Sequence, residues 1–596
     1  MSFTELREFL SKTSLTIADV YSGGIKANAL VSNASVEVPR QRVAVAGSLT
    51  IDFLSKAVAC AIVQEGLLPV VYEAPFGAYI QEALDPSSGL HKFEPDLVLI
   101  APDWRDWTDA SLFGGSNADV VKAIAQRVNE FEKVWSALEE RGARIIQHTL
   151  VPPASTFRGV ADRLLPGSLQ NQVAALNAEL MRAGEGRISW VELDRLANLI
   201  GQRNWSSERF YFTSKLAFDL KNIDDYMVWF RGAWRATFGK TKKVLVLDLD
   251  NTLWGGVIGD DGVEGLKLGP EHGAKGEAFL AWQTYVKALS DRGVILAVCS
   301  KNDPAVATAG FSHAHSVLKR DDFAAFECSW EDKVSSIRRI TNALNVGADS
   351  IVFADDNPAE TELVRQEMPE VAIVELGADP SGFRERLDAG HWFDLIAYSS
   401  EDAIRREGYV ARRLATDLRL ASTDMDGYFN SLLMVGHVFR PETRDIGRVA
   451  QLEMKTNQFN LTTRRYSQRD IERIMADPNA LVLALRLKDR FGDHGLTATL
   501  IGFFEGDEFR IDSWLMSCRI FSRTAEQFML LHTVQAVKER GGVSIKGEYR
   551  MSDRNAVVAD LYSRLGFENV SGDGAIWSRL VSRPLEDLRT FIAAEN

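Results

Sequence analysis

Cysteine is scarce in this chain. Four occur in 596 residues (Cys60, Cys299, Cys328 and Cys518), none in C-x-x-C spacing, so neither a disulfide framework nor a zinc site is indicated. Long apolar runs are also missing. No uninterrupted stretch reaches the ~20 residues that a membrane helix needs, and the first residues, MSFTELREFL, are polar and charged, so neither a span nor a signal peptide is expected and the chain is assigned to the cytoplasm. Positive charge is in deficit: the formal net charge is −14. An acidic average of that size argues against nucleic acid or an anionic membrane as the main partner, while leaving room for a local basic patch. Repeats and low-complexity tracts are lacking as well. What remains, 46% hydrophobic and 25% charged residues, describes a globular protein with length for three or four domains.

Against these absences one segment stands out. Residues 242–262 read KKVLVLDLDNTLWGGVIGDDG, an apolar run that ends in two carboxylates two residues apart, Asp248 and Asp250. Such a run reads as a buried parallel strand delivering both acids to the carboxyl edge of a sheet, where open α/β folds bind ligands. A second apolar strand, Val294 to Ser300, ends in a hydroxyl and follows a helical run over 271–292 that Gly293 can stop. Lys333 opens another helical pattern, and a third strand, Ser350 to Asp356, ends in Asp355 and Asp356.

Phosphoryl transfer has a use for each group. Asp248 suits a carboxylate nucleophile, and Asp250 suits the acid that protonates a leaving oxygen and later activates water. Thr252, Ser300 and Lys333 suit binding of phosphoryl oxygens. Mg²⁺ would neutralise the charge, held by Asp248, the backbone carbonyl of Asp250, and one or both of Asp355 and Asp356.

The ordered set resembles the haloacid-dehalogenase (HAD) superfamily of phosphohydrolases. The longer wording DLDNTLWGGVIGDDG, CSKNDP, WEDK, FADDNP, KTNQFNLTTRRY and SCR is similar to the FkbH-like family from about residue 242 to the C-terminus. That resemblance implies an enzyme that removes phosphate from 1,3-bisphosphoglycerate. It further implies loading of the glyceryl unit as a thioester onto the phosphopantetheine arm of an acyl carrier protein in polyketide-type biosynthesis. A plain phosphatase acting on a small phosphomonoester, and a non-catalytic carrier-docking scaffold, are the rival readings.

The expected fold class is α/β in three domains. In residues 1–240 strands near Arg42–Ala46, Leu68–Glu73, Asp96–Ala101 and Arg144–Leu150 alternate with helices, the pattern of a covered parallel sheet. This part resembles an SGNH-type hydrolase, with Ser48 at the end of the first strand. Residues 203–218 lack the histidine such a family needs, and His148 and Asp194 do not replace it, so a non-hydrolytic binding domain is expected. Residues 241–400 form the HAD-like Rossmannoid domain, with little room for a large cap, and 401–430 a helical connection. Residues 431–596 carry four expected strands and helices near 445–457, 522–540 and 555–565, an α+β order that resembles a GNAT-type acyltransferase. The stretch from Arg519 to Ala525 lacks the glycines of a coenzyme A loop, which favours a carrier-protein arm over acetyl-CoA.

Two cysteines are candidate acyl carriers. Cys299 sits before Ser300 at a strand end and a helix start, a place that also suits a small buried core residue pointing away from the site. Cys518 lies beside Arg519 and Arg523, which would favour its thiolate; the same arginines also suit phosphate binding or pairing with Asp512. Cys60 and Cys328 read as structural. His494, in a Gly-rich turn-like stretch, is a candidate general base for thiol attack or a plain turn residue. Asn457, Gln458, Phe459 and Asn460 are assigned binding at most.

Overall fold

The computed structural model describes residues 1–12, 14–32, 37–155, 158–397, 424–456, 459–517, 520, 523–552, 555–572, 574–586 and 588–595. Two compact units result: Met1–Thr241 with Ala389–Ala397, and Lys242–Asp388 with the described part of Tyr398–Asn596.

The first unit is built on five parallel strands, β1 (Arg40–Gly47), β2 (Leu68–Glu73), β3 (Leu97–Ala101), β4 (Arg144–His148) and β5 (Ile188–Val191), in the order β2-β1-β3-β4-β5. Alternation along each strand supplies two cores. Val43, Val45, Leu97 and Leu99 pack with the helices Asp52–Gln64 and Ile223–Thr237 on one face. Ala44, Ala46, Val98 and Ile100 pack with the helices Asn117–Glu139 and Leu169–Ala183 on the other. Both faces are covered, which is why the strands read as continuous apolar runs rather than as alternating ones. Close helix packing is set by Gly24, where an added Cβ would lie 2.8 Å from the Lys56 Cα. The fifth strand, short and interrupted by Ser189, was not expected.

The second unit carries two sheets. One is parallel and formed by β6 (Val244–Leu247), β7 (Ile295–Ser300), β8 (Phe323–Cys328), β9 (Ile351–Asp355) and β10 (Ala372–Glu375), in the order β10-β9-β6-β7-β8. The chain steps from β6 outward to β7 and β8, then crosses back to β9 and β10 on the other side. β6 therefore occupies the topological switch point, and Asp248 is the first residue beyond its carboxyl end. Between β6 and β7 the chain forms a helix at Ile258–Gly265, a 3₁₀ turn at Pro270–His272 and the helix Gly273–Asp291, in keeping with the expectation of no large cap. Cys328 ends β8, which Phe323, Ala324 and Ala325 bury beside β7.

The other sheet is mainly antiparallel. It comprises β11 (Val435–Phe439), β12 (Ala480–Asp489), β13 (Gly492–Glu505), β14 (Glu508–Met516), β15 (Ser544–Glu548), β16 (Glu568–Asn569), β17 (Ile576–Leu580) and β18 (Ala593–Ala594), in the order β16-β17-β15-β14-β13-β12-β11-β18. The helix Ala525–Glu539 links β14 to its parallel neighbour β15. These two strands pair only from Glu508 to Arg510 and then part, and Arg464 reaches Asp512 on one and Glu548 on the other. The helix expected over 555–565 is instead a 3₁₀ turn, Ala556–Val558, and a single helical turn, Leu561–Arg564. The expected connection over 401–430 falls largely outside the described residues; within it, Met425–Ser431 is helical.

Candidate active site

Asp248 and Asp355 leave adjacent strands at the same edge, and Lys333, first residue of the helix Lys333–Leu344, rises between them. Its Nζ lies 2.6 Å from Asp248 Oδ1 and 2.6 Å from Asp355 Oδ2, and its side chain is 4% exposed. Burial alone would lower the lysine pKa; the two carboxylates outweigh it and hold Lys333 above its ordinary value, so it stays charged. Asp355 is displaced upward, first by burial and then by the charge of Asp248, with Lys333 opposing. Burial and Asp248 raise Asp356 in the same way.

Asp248, Asp355 and Asp356 each offer an oxygen within 4.8 Å of the others. Three carboxylates against one ammonium leave a surplus of negative charge, and every donor is a hard oxygen, a set that fits a hard divalent cation. Thr252 is fully buried and donates from Oγ1 to Asp356 Oδ1 at 3.1 Å, orienting that carboxylate.

Asp250 is held differently. Its Oδ1 accepts from Trp254 Nε1 at 2.9 Å and from the Ile258 N–H at 3.1 Å, and its Oδ2 accepts from Asn302 Nδ2 at 2.9 Å. The Asp250 carboxylate thus stands beside the three-carboxylate cluster rather than in it. The loop that makes this possible turns through Asn251, at φ +54°, and Gly256, at φ +102°, where a Cβ would meet Asp261 Oδ2 at 2.6 Å. Asn302 also donates to Ser300 Oγ at 3.2 Å, linking the β7 end to Asp250. Sequence reasoning passed over Asn302 and Trp254, although both lie inside the motifs it singled out.

Cys299 does not join the site. Strand alternation sends Ser300 to the edge and Cys299 into the core with Val244, Val246, Ile337 and Phe353, 1% exposed. Burial pushes its thiol well above the ordinary range, which corrects the expectation of an acyl-carrying thiolate there. Cys518 and Arg519 lie outside the described residues. Arg523 is buried and ion-paired with Asp489, and His494 Nε2 lies 2.9 Å from the same carboxylate. His494 is thus neither an exposed turn residue nor a base open to a substrate: it is 1% exposed at the start of β13.

Asn457 and Gln458 lie outside the described residues. Phe459 is buried, and Asn460 donates to Arg464 O at 3.1 Å and accepts from the Thr463 N–H at 2.8 Å, so its amide shapes the loop. A feature with no forewarning in the sequence is Glu453, fully enclosed between Thr499 Oγ1 (3.0 Å) and Ser513 Oγ (3.1 Å). Burial pushes its carboxyl up to about 8 despite those two hydroxyls.

In the first unit, Ser48, Asp194 and His148 are not hydrogen-bonded to one another among the described residues. Ser48 Oγ accepts from the Asp103 N–H at 3.0 Å, Asp194 Oδ1 accepts from Thr149 at 2.6 Å, and His148 Nε2 faces the Tyr226 hydroxyl at 3.0 Å. Burial lowers His148 to about 3, which keeps its ring neutral. Next to these residues a cavity of about 600 Å³ opens at the carboxyl edge of the sheet, lined by Asp103, Arg105, His148, Trp205 and Tyr211 among others.

No family model matches the chain, and no curated protein does. Solved structures do. The N-terminal part of a Bacteroides fragilis protein, containing a phosphatase domain and complexed with Mg, is 29% identical, covers 65% of this chain and 100% of its own length, and superposes with a TM-score of 0.58. A ribosomal-protein alanine N-acetyltransferase from Escherichia coli is 18% identical over 25% of this chain and 96% of its own, with a TM-score of 0.20. The PaiA N-acetyltransferase from Thermoplasma acidophilum, in complex with coenzyme A, is 12% identical over 24% and 98%, also at 0.20. Scores of that size are too low to argue from. Among the described residues no helix is long and apolar enough to cross a membrane.

Proposed function

We propose that the chain is a Mg²⁺-dependent HAD-type phosphohydrolase of the FkbH-like kind, which dephosphorylates a three-carbon acyl phosphate and passes its acyl unit to a carrier-protein thiol. One observation carries the phosphohydrolase reading: Lys333 lies 2.6 Å from both Asp248 and Asp355 at the switch point of the parallel sheet. The similarity to a magnesium-complexed phosphatase domain supports it.

In this reading Asp248 attacks phosphorus while the bond to the leaving oxygen breaks, and Asp250 gives that oxygen its proton. Water then attacks the aspartyl-phosphate, Asp250 takes the water's proton, and phosphate leaves with Asp248 restored. Asp250 can serve both steps because Asn302, Trp254 and the Ile258 amide fix its position. Mg²⁺, held by Asp248, Asp355 and Asp356 with the Asp250 carbonyl as a further ligand, would offset the charge of the phosphoryl oxygens. Lys333 supplies positive charge on the protein side, and Thr252 keeps Asp356 turned toward the cation site.

The acyl step differs in kind. An acyl phosphate is already activated: a thiolate adds to its carbonyl, the C–O bond to phosphate breaks, and phosphate departs, leaving a thioester. With Cys299 sealed in the core, the thiol is that of the carrier's phosphopantetheine or Cys518. The FkbH-like motifs named above support 1,3-bisphosphoglycerate as substrate and a glyceryl product. In the first unit, the separate engagements of Ser48, Asp194 and His148 support a binding rather than a hydrolytic domain.

The test incubates the chain with Mg²⁺, 1,3-bisphosphoglycerate and a phosphopantetheinylated carrier protein, and follows both proteins by intact mass. A glyceryl adduct on the carrier, lost or left phosphorylated with Asp248→Asn, is the expected result. Phosphate release without an adduct on either protein would refute acyl transfer and leave a plain phosphatase. An undiminished glyceryl adduct on the carrier with Cys518→Ala would assign transfer directly to the carrier thiol.

A further inference from the structure

Three of the chain's nine histidines gather around one carboxylate in the connections of the second unit's parallel sheet, apart from the carboxylate cluster. Glu271 and His272 end the 3₁₀ turn Pro270–His272, and His313 and His315 follow the short helix Pro304–Gly310. Ligand atoms of Glu271, His272 and His313 all lie within 4.8 Å of one another. His315 Nε2 is 3.0 Å from Glu271 Oε2, and His272 Nε2 is 3.9 Å from Glu271 Oε1. The turn also presses against His315: at Gly269, where φ is +104°, a Cβ would fall 2.5 Å from the His315 Cδ2.

We propose that Glu271, His272 and His313, with His315 as a fourth ligand, bind one divalent transition metal of the zinc type and so tie the turn at 270–272 to the segment at 311–316. Imidazole nitrogens with a single carboxylate suit Zn²⁺ and its neighbours and suit Mg²⁺ poorly, so this site and the all-oxygen cluster would sort the two kinds of cation between them. His313 is the most buried of the three imidazoles. His313 Nδ1 accepts from the His315 N–H at 3.2 Å; coordination through Nε2 would move the ring proton to Nδ1 and release that long contact.

The metal would act by positioning. Gly310 and Phe311 pack on Trp254, with the Trp254 and Phe311 ring centroids 5.3 Å apart and a Cβ at Gly310 only 2.6 Å from the indole. Trp254 in turn donates to Asp250. Tying down the following segment would brace the wall that holds Asp250, without any ligand touching substrate.

The experiment uses the tag-free full chain, stripped with EDTA and kept in excess Mg²⁺ so that the oxygen cluster is already supplied. Co²⁺ is titrated in as the probe. Expected are one Co²⁺ per chain with the strong visible absorption of a low-coordinate nitrogen-ligated ion, its displacement by Zn²⁺, and a higher melting temperature. The double variant His272→Ala, His313→Ala should weaken binding by more than the ~10–100-fold that loss of a mere supporting group costs. Absence of saturable Co²⁺ binding, or binding unchanged in the double variant, would overturn the proposal. Should that variant not fold, imidazole ¹⁵N spectra of the unaltered chain decide: Zn²⁺ should shift the resonances of His272, His313 and His315 alone, and shifts confined to other histidines refute the site.

Discussion

Exchanging Lys333 for Met tests the logic of the site, because it keeps most of the stem and removes the one ammonium shared by Asp248 and Asp355. Both partners are buried, 2.6 Å from Nζ, so solvent does little to replace the lost charge. Breaking a buried pair from one side typically costs about 3–5 kcal/mol, mostly the penalty of the charge left behind. Here that charge has an escape. Asp355 is already displaced upward by burial and by Asp248, and Lys333 is what pulls it back, so in Lys333→Met it would hold a proton to still higher pH. An acid whose folded pKa exceeds its unfolded value of ~3.9 binds more protons folded than unfolded between the two. Stability therefore falls as pH rises through that window. Lys333 has the complementary sign: its raised pKa contributes stability that is complete below ~10.4 and is lost only as pH rises through the folded value.

The penalty for Lys333→Met should then be small at pH 5, about 1 kcal/mol, and approach about 3–5 kcal/mol at pH 8. Urea unfolding of variant and parent at both pH values measures it. Added Mg²⁺ should stabilise the variant more than the parent at pH 8, since three carboxylates without an ammonium attract a divalent cation more strongly. Phosphate release should drop by about 10²–10³, the usual effect of deleting one charge-stabilising donor. A penalty that is equal at pH 5 and pH 8, or below about 1 kcal/mol at pH 8, would refute the account of a shared, proton-coupled ion pair.

Other outcomes follow from single contacts. Asn302→Ala leaves Asp250 Oδ2 without its amide donor, and kcat for phosphate release should fall by up to ~10² while KM moves little, as expected when a proton-transfer group loses its alignment; a changed KM at unchanged kcat would place Asn302 in substrate binding instead. Cys299→Ala should leave phosphate release and acyl loading intact and cost about 1 kcal/mol of stability, because one buried atom is lost from a packed core; loss of the acyl adduct in that variant would reopen the thiol assignment. Glu453, pushed up to about 8 by burial, makes the folded state bind a proton that the unfolded chain releases near 4.3, so the parent loses about 1.4 kcal/mol per pH unit across that interval. Glu453→Gln should abolish that slope in thermal or urea unfolding between pH 5.5 and 8; an unchanged slope would mean that the carboxylate is ionised in place.

How much of this was legible beforehand divides along a physical line. Asp248, Ser300, Lys333 and Asp355 were readable because each ends or begins an element whose pattern is plain: apolar runs in parallel strands end abruptly, and the first polar residue beyond them must lie at the sheet edge. The same local rule located Leu68–Glu73 to the residue. It could not decide between Cys299 and Ser300, since a run buried on both faces shows no alternation from which to tell edge from core; the helix Lys333–Leu344 packing beneath β7 settles that. Nor could it find β5, where Ser189 breaks a four-residue strand.

Tertiary encounters were beyond its reach altogether. His494 looked like a turn residue because glycines flank it, yet β12 and β13 form a tight hairpin whose register sets Asp489 opposite Gly492, and burial then leaves that carboxylate as the partner for both His494 and Arg523. Glu453 sits on a helix, Ile446–Lys455, and owes its raised pKa to burial against two neighbouring strands, whose hydroxyls at Thr499 and Ser513, more than forty residues away in sequence, pull the other way. Glu271, His272 and His313 show no metal-ligand spacing because the helix Gly273–Asp291 and all of β7 intervene. In each case the residue type was visible and its chemistry was not, because charge state depends on desolvation and on partners that only the folded arrangement supplies. Spacing finds a site when one strand edge delivers its groups; where separate loops deliver them, the groups meet without a motif.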